Sequence, residues 1–210
     1  MEPENQFDRG SIMKKKLAFL TVLIFALSLG LMSCVTTSVK PTTANLKNPV
    51  ITLESMDVPQ YDGYWYYSKG TKTVKGDVGD RGAFLPMSFL FNVQNPNPYP
   101  ILLEGIMFTV SFDEDFDVVT VNNQDSYWIP AGKTTHVRTT TMITVRSALL
   151  SLLVTGGFKL KDKGWTSWDT LERWWKGVPE MTVPVKVKEG AFNFIAGDIE
   201  RVVVFEGKVK

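Results

Sequence analysis

Apolar and polar residues alternate with period two along much of the chain beyond residue 48. Residues 87–94 show it most cleanly. Met87, Phe89, Phe91 and Val93 fall on one face, and Ser88, Asn92 and Gln94 on the other. That spacing predicts a strand with one buried side. Leu90 is the single apolar residue on the polar face. Residues 106–112 repeat the pattern, with Ile106, Phe108, Val110 and Phe112 sharing a face. Residues 134–145 predict a longer, threonine-rich strand. Thr135, Val137, Thr139, Thr141, Ile143 and Val145 lie on one side, and His136, Arg138, Thr140, Met142 and Thr144 on the other. Threonine suits a strand because it is β-branched. Residues 181–188 direct Met181, Val183, Val185 and Val187 inward. Pro184 has no amide hydrogen, which assigns this strand to a sheet edge guarded by outward Lys186 and Lys188. Residues 50–58 and 199–208 are expected as the first and last strands.

The period changes at two places. Within 147–154, Leu149, Leu150, Leu152 and Leu153 suit a short buried helix that Gly156-Gly157 stops. Within 165–175, Thr166 can cap a helix, Asp169 follows three residues on, and Gly177 ends it. Trp168, Leu171 and Trp175 fall on one helical face, with Trp174 beside them. Two readings of this segment stand. It packs on the strands, or Trp165, Trp168, Trp174 and Trp175 contact a membrane or a partner.

Between the first two strong strands lies Asn95-Pro96-Asn97-Pro98-Tyr99-Pro100. Proline cannot donate to a ladder, so the first strand must stop here. Asparagine side chains bond nearby backbone and favour turns. The run reads as a rigid crossing, with a ligand-binding rim as the alternative. A strand ending in Asn95-Pro96-Asn97, then Tyr99-Pro100-Ile101, then an alternating strand, resembles the type 2 late-embryogenesis-abundant (LEA) family. Its domain is also called the water-stress and hypersensitive-response domain. Ile129-Pro130-Ala131-Gly132 is similar to that family's turn before a long strand, and residues 147–154 sit where its members carry a short helix. The resemblance covers residues 53–209 and is clearest over 89–145. It marks Asn95, Pro96, Asn97, Pro130 and Gly132 as motif residues. It implies an all-β, antiparallel sandwich of immunoglobulin or fibronectin-III type with one or two short helices. It supplies no catalytic residue, metal or cofactor, and its implied role is protection under water stress. The 165–175 helix lengthens the usual family connection.

Composition narrows the classes. A chain of 210 residues with 44% hydrophobic and 12% aromatic residues can build a packed core, unlike disordered desiccation proteins. One cysteine and one histidine exclude a disulfide framework and a Cys/His zinc cluster. His136 reads as a surface histidine. Removing the four basic and three acidic groups of residues 1–33 from totals of 23 and 22 leaves nineteen of each. A neutral body gives no electrostatic reason to bind nucleic acid. No Gly-x-Ser-x-Gly elbow is present, and nothing selects a catalytic carboxylate pair, so an enzyme is disfavoured. Asp113, Glu114, Asp115 and Asp117 read as a solvated turn, with calcium as the sharper alternative. Tyr61 and residues 64–67, Tyr-Trp-Tyr-Tyr, are either a cover for one end of the fold or a sugar-stacking platform.

The first residues carry an address. Met13 opens Lys14-Lys15-Lys16, residues 17–31 are almost wholly apolar, and Leu31-Met32-Ser33-Cys34 follows. Positive end, apolar run and small residue make a secretory signal. The last four residues resemble a bacterial lipobox, which implies cleavage before Cys34 and lipid on its thiol. On this reading residues 1–33 are the signal, starting at Met13. Residues 34–48 are the lipidated cysteine and a flexible tether, and 49–210 the LEA type 2 domain. An uncleaved membrane helix is the alternative, since residues 17–34 reach only the short end of the roughly 17–25 needed. Val35, in place of aspartate, favours the outer membrane. The expectation is a non-catalytic, membrane-anchored envelope lipoprotein in stress protection, with no cofactor beyond the lipid. The other reading is an assembly lipoprotein binding an envelope protein or glycan through exposed aromatics.

Overall fold

The computed structural model describes residues 39–61 and 84–209. Five strands come first: β1 (Val50–Asp57), β2 (Phe84–Gln94), β3 (Ile101–Phe112), β4 (Phe116–Asn123) and β5 (Tyr127–Ile129). Then follow β6 (Thr134–Thr144), α1 (Val145–Val154), α2 (Gly157–Lys163) and α3 (Ser167–Gly177), and finally β7 (Val185–Ala196) and β8 (Ile199–Lys208). All strand pairs are antiparallel. One sheet has the order β1-β2-β6; the other runs β4-β3-β7-β8, with β5 beside the start of β3. This is the all-β, sandwich-like class that the alternation predicts, with three short helices where one or two were expected.

The inward faces are those read from the period-two pattern. Met87, Phe89, Phe91 and Val93 of β2 are fully buried, as are Phe108, Val110 and Phe112 of β3. Phe89 and Phe91 meet Phe108 and Phe192 edge to face across the two sheets, with ring centroids 5.3–5.5 Å apart. Such pairs contribute beyond their buried area. β2 and β6 pair without interruption from Phe84↔Thr144 to Gln94↔Thr134. Leu90 sits opposite Arg138 on the outer face.

Three expectations are corrected. The strand after Pro184 is not an edge: β7 lies between β3 and β8. It begins at Val185, so Pro184 stands just outside the ladder, where no amide is needed. Met181 turns in a left-handed conformation before it. β7 also continues to Ala196 past a register shift at Val187/Gly190. β8 approaches so closely there that a Cβ on Gly190 would lie 2.6 Å from the Phe205 carbonyl oxygen.

The helical region also differs. Thr144 caps α1, accepting from the Ser147 amide in a reciprocal capping box. Only Ala148 and Leu152 of α1 are buried, while Leu150, Leu153 and Val154 are exposed. Gly156-Gly157 does end α1, but α2 starts at once, with Phe158 87% exposed.

Finally, residues 41–48 are not free tether. Thr42 and Asn45 bond reciprocally, Leu46 is buried, and Arg201 Nη1 donates to the Leu46 carbonyl (2.8 Å) and to Asn48 Oδ1 (3.1 Å). Polar residues suggest a linker only until they find partners, and these find them. We call this stretch the strap.

The sandwich therefore has two distinct ends. β2, β3, β5 and β6 meet at the Asn-Pro crossing, where the strap attaches. The β3–β4 hairpin and the three helices close the other.

Candidate functional site

The motif residues converge. Asn95 is fully buried and its Nδ2 hydrogens are shared among the carbonyls of Tyr99 (2.8 Å), Ile129 (3.1 Å) and Pro130 (3.2 Å). Its Oδ1 accepts from the Asn97 amide at 2.9 Å and from Asn97 Nδ2 at 3.0 Å. Asn97 then pairs with the backbone of Lys47 in both directions, at 2.8 and 2.9 Å. The Gly132 amide donates to the Asn97 carbonyl (3.1 Å), and the Asn95 amide to that of Lys133 (2.8 Å). Gly132 has φ +66, a conformation that strains a side-chain-bearing residue. Pro96 and Pro130 stiffen the two crossings that the asparagines lock together. Tyr99 completes the knot, donating from its hydroxyl to Asn45 Oδ1 at 2.8 Å. Buried amides with every hydrogen engaged are structural, so neither Asn95 nor Asn97 forms a ligand-binding rim.

At the opposite end the aromatic helix packs inward. Thr166 caps α3 by accepting from the Asp169 amide, as the spacing predicts. Leu171, Trp174 and Trp175 are fully buried, while Trp168, in the first turn of the helix, is 52% exposed. Trp174 meets Phe112 and Phe116 at 5.2 and 5.6 Å. Trp165 stacks on Phe116 (6.3 Å) beneath the cations of Lys163 and Arg173. Trp174 and Trp175 are thus excluded from membrane or partner contact, and Trp168 stays available.

The acidic hairpin is the expected turn, with Glu114, Asp115 and Asp117 exposed, but Asp113 is buried and anchors it. Asp113 and Glu114 both have positive φ, at 47 and 71. Asp113 is buried and accepts from Trp174 Nε1 (2.8 Å) and from both Arg173 Nε (3.2 Å) and Nη2 (2.8 Å). This bidentate, charge-assisted geometry fastens α3 to the hairpin. The Asp113 carboxylate beside it holds the Arg173 guanidinium above its ordinary pKa. Glu114 pairs with Lys208 and Lys186, Asp115 with Lys163, and Asp117 with Lys188. The hydrogen bond from Lys208 lowers the Glu114 carboxyl. Burial pushes Asp117 up, but bonds from Lys188 and Ser111 outweigh it and leave the carboxyl below its usual range. Each acid is already engaged by a cation. Among the described residues no group of three or more His, Cys, Asp or Glu could hold a metal ion.

His136 is exposed and lies 3.9 Å from Glu54 across the first sheet. Leu31, Met32, Ser33 and Cys34 lie outside the described residues, and so do residues 64–67. Among the described residues no helix is long and apolar enough to cross a membrane. Sequence reasoning missed the exposed Phe158 and Trp128, the latter 66% exposed just before the turn at residues 129–132.

No known family model matches the chain, and no curated protein matches it by sequence. Solved structures show loose similarity. A protein from Archaeoglobus fulgidus is 13% identical at a TM-score of 0.38, over 78% of this chain and 93% of its own. A Bordetella pertussis protein described as ApaA is 8% identical at 0.38, over 78% and 95%. A protein described as late-embryogenesis abundant is 12% identical at 0.36, over 100% of this chain and 93% of its own. Likeness at this level says nothing of ligand or activity.

Proposed function

We propose that the protein is a lipid-anchored envelope lipoprotein whose LEA type 2 domain protects its surroundings when water is scarce, without catalysis. Cys34 carries the lipid, the outer membrane is the favoured location, and nucleic acid is not a partner. The observation that supports the reading most is the knot. Asn95, Asn97 and Gly132 carry the sequence resemblance, and they are bonded to one another across two crossings. The motif is therefore one built unit. Pairing of the acidic hairpin with lysines and burial of Trp174 and Trp175 suit a scaffold. A protective surface needs a body that keeps its shape.

The test dries and rehydrates a labile reporter enzyme with a fragment starting at residue 39, which keeps the strap. Serum albumin and an unrelated β-sandwich at equal mass are the controls. Recovery well above both is expected. Recovery no better than either rejects protection. The exposed Leu150, Leu153, Val154 and Phe158 favour a second reading, recruitment of an envelope protein. Failed protection together with one co-purifying partner, lost on Phe158→Ser, would move the assignment there.

A further inference from the structure

We infer that the outer face of the second sheet carries a binding groove for a neutral saccharide. This goes beyond the protective reading and does not depend on it. The groove has a volume of about 560 Å³, within the range of roughly 300–1,000 Å³ usual for small-ligand sites. Its polar lining is Asn122, Gln124, Ser126, Asn193 and Glu104, and Met107 and Val202 supply apolar floor. Asn122, Gln124, Ser126 and Glu104 are solvent-exposed.

The chemistry points to hydroxyl groups. A carboxamide presents a donor and an acceptor side by side, the complement of a diol whose two hydroxyls each donate and accept. Asn122 and Gln124 present such amides here, and Asn193, whose Nδ2 already bonds Glu200, lines the groove beside them. A pyranose also has an apolar C–H face that needs a flat apolar partner. Trp128 offers one beside the groove: it is exposed and pairs with Leu102, which lies two residues before Glu104 on β3. Residues so spaced on a strand share a face, about 7 Å apart. No lysine or arginine lines the groove, while Glu104 does and Glu200 accepts from Asn193 Nδ2 at 2.9 Å. Two carboxylates without a cation repel an anion, so phosphates and uronic acids are disfavoured. A peptide held by strand addition would need a free sheet edge. Here β3 and β7, which form the floor, are paired on both sides.

The backbone is shaped for the same purpose. The β3–β7 register shifts between Leu103 and Gly105. Leu103 and Ile106 stay buried, so Glu104 and Gly105 are both left to the outward face. Bulges re-aim side chains in this way next to binding sites. Gly105 does not have a positive φ, and a Cβ there would meet only the Asn123 carbonyl oxygen, at an ordinary 3.6 Å. Neither backbone nor packing demands glycine. Glycine inside a strand weakens it and often marks the close approach of a ligand. At 105 it keeps the floor open.

The test uses the full chain in a zwitterionic detergent without a sugar headgroup. It is titrated calorimetrically with neutral tetrasaccharides of glucose, mannose and N-acetylglucosamine, and with an oligouronate of equal length. Saturable binding of at least one neutral sugar and none of the uronate is expected. Trp128→Ala and Asn122→Ala should each weaken it about tenfold or more. Gly105→Val should abolish it with the melting midpoint retained. Trp128 and Asn122 are exposed, so their variants carry the test if Gly105→Val fails to fold. The inference is overturned if no neutral sugar saturates, if the uronate binds better, or if binding survives both exposed-residue variants.

Discussion

Asn95 shows how one side chain can hold two crossings together. Its amide hydrogens serve carbonyls on both crossings, and its oxygen orders Asn97. Aspartate has nearly the same shape but no hydrogens to give. Asn95→Asp should therefore cost about 2–3 kcal/mol, since it leaves buried carbonyls without donors. The melting midpoint should fall by roughly 5–10 °C for a domain of this size. A midpoint within 2 °C of the parent, as a rough limit, would refute the structural role. Asp117 gives a pH prediction. Its folded carboxyl lies below the ordinary value, so its contribution is full above the unfolded pKa and is lost as pH falls through the folded one. Glu114 has the same sign. Asp117→Asn should lower stability at neutral pH and flatten its decline between about pH 5 and pH 2, so that variant and parent converge at low pH, in denaturant titrations across that span. An unchanged slope would show that the Lys188 pair has no differential effect.

Among the elements, the strands were legible and the helices only partly so. Alternation identified the buried faces of β2, β3 and β6 because a half-buried strand must repeat every two residues. It could not show that β7 is interior. Pro184 carries the same signal whether it lies within an edge strand or just ahead of a central one. The leucines of α1 misled for another reason. Four close leucines fit a buried helix, yet a helix on the end of a sandwich has only one side to bury, and that side takes Ala148 and Leu152. In α3 the cap was readable, but which tryptophans turn inward was not. Asp113, far away in sequence, decides it by accepting from Trp174 and Arg173. Two substitutions on this helix should behave differently. Trp174→Ala removes a buried indole and should cost about 3–5 kcal/mol. Trp168→Ala, at a half-exposed site, should stay within about 0.5 kcal/mol. Equal losses in chemical denaturation would mean that the buried stripe is wrongly placed.

For the whole molecule, the sandwich is closed differently at its two ends, by buried amides at one and by an ion-paired hairpin with helices at the other. The candidate site was the least legible feature. The motif residues were visible as a pattern, but their bonding to Lys47 needs the strap, whose Thr-, Asn- and Lys-rich composition looks like a linker. The amides of the outer groove come from β4, the following loop and β7, and nothing in their spacing joins them until the strands pair.

The strap has a mechanical consequence. β1 is the outer strand of its sheet, held to β2 by an antiparallel ladder that a pull from its first residue could unzip bond by bond. Tension arriving through the residues before Pro41 does not reach β1 first. It meets Asn97 at Lys47 and Arg201 at Leu46 and Asn48, and these belong to the crossing between the sheets and to β8. Both sheets then share the load, and the bonds there must shear together before any strand can peel. A domain hung from a membrane by its leading end would have its clasp where the force comes in.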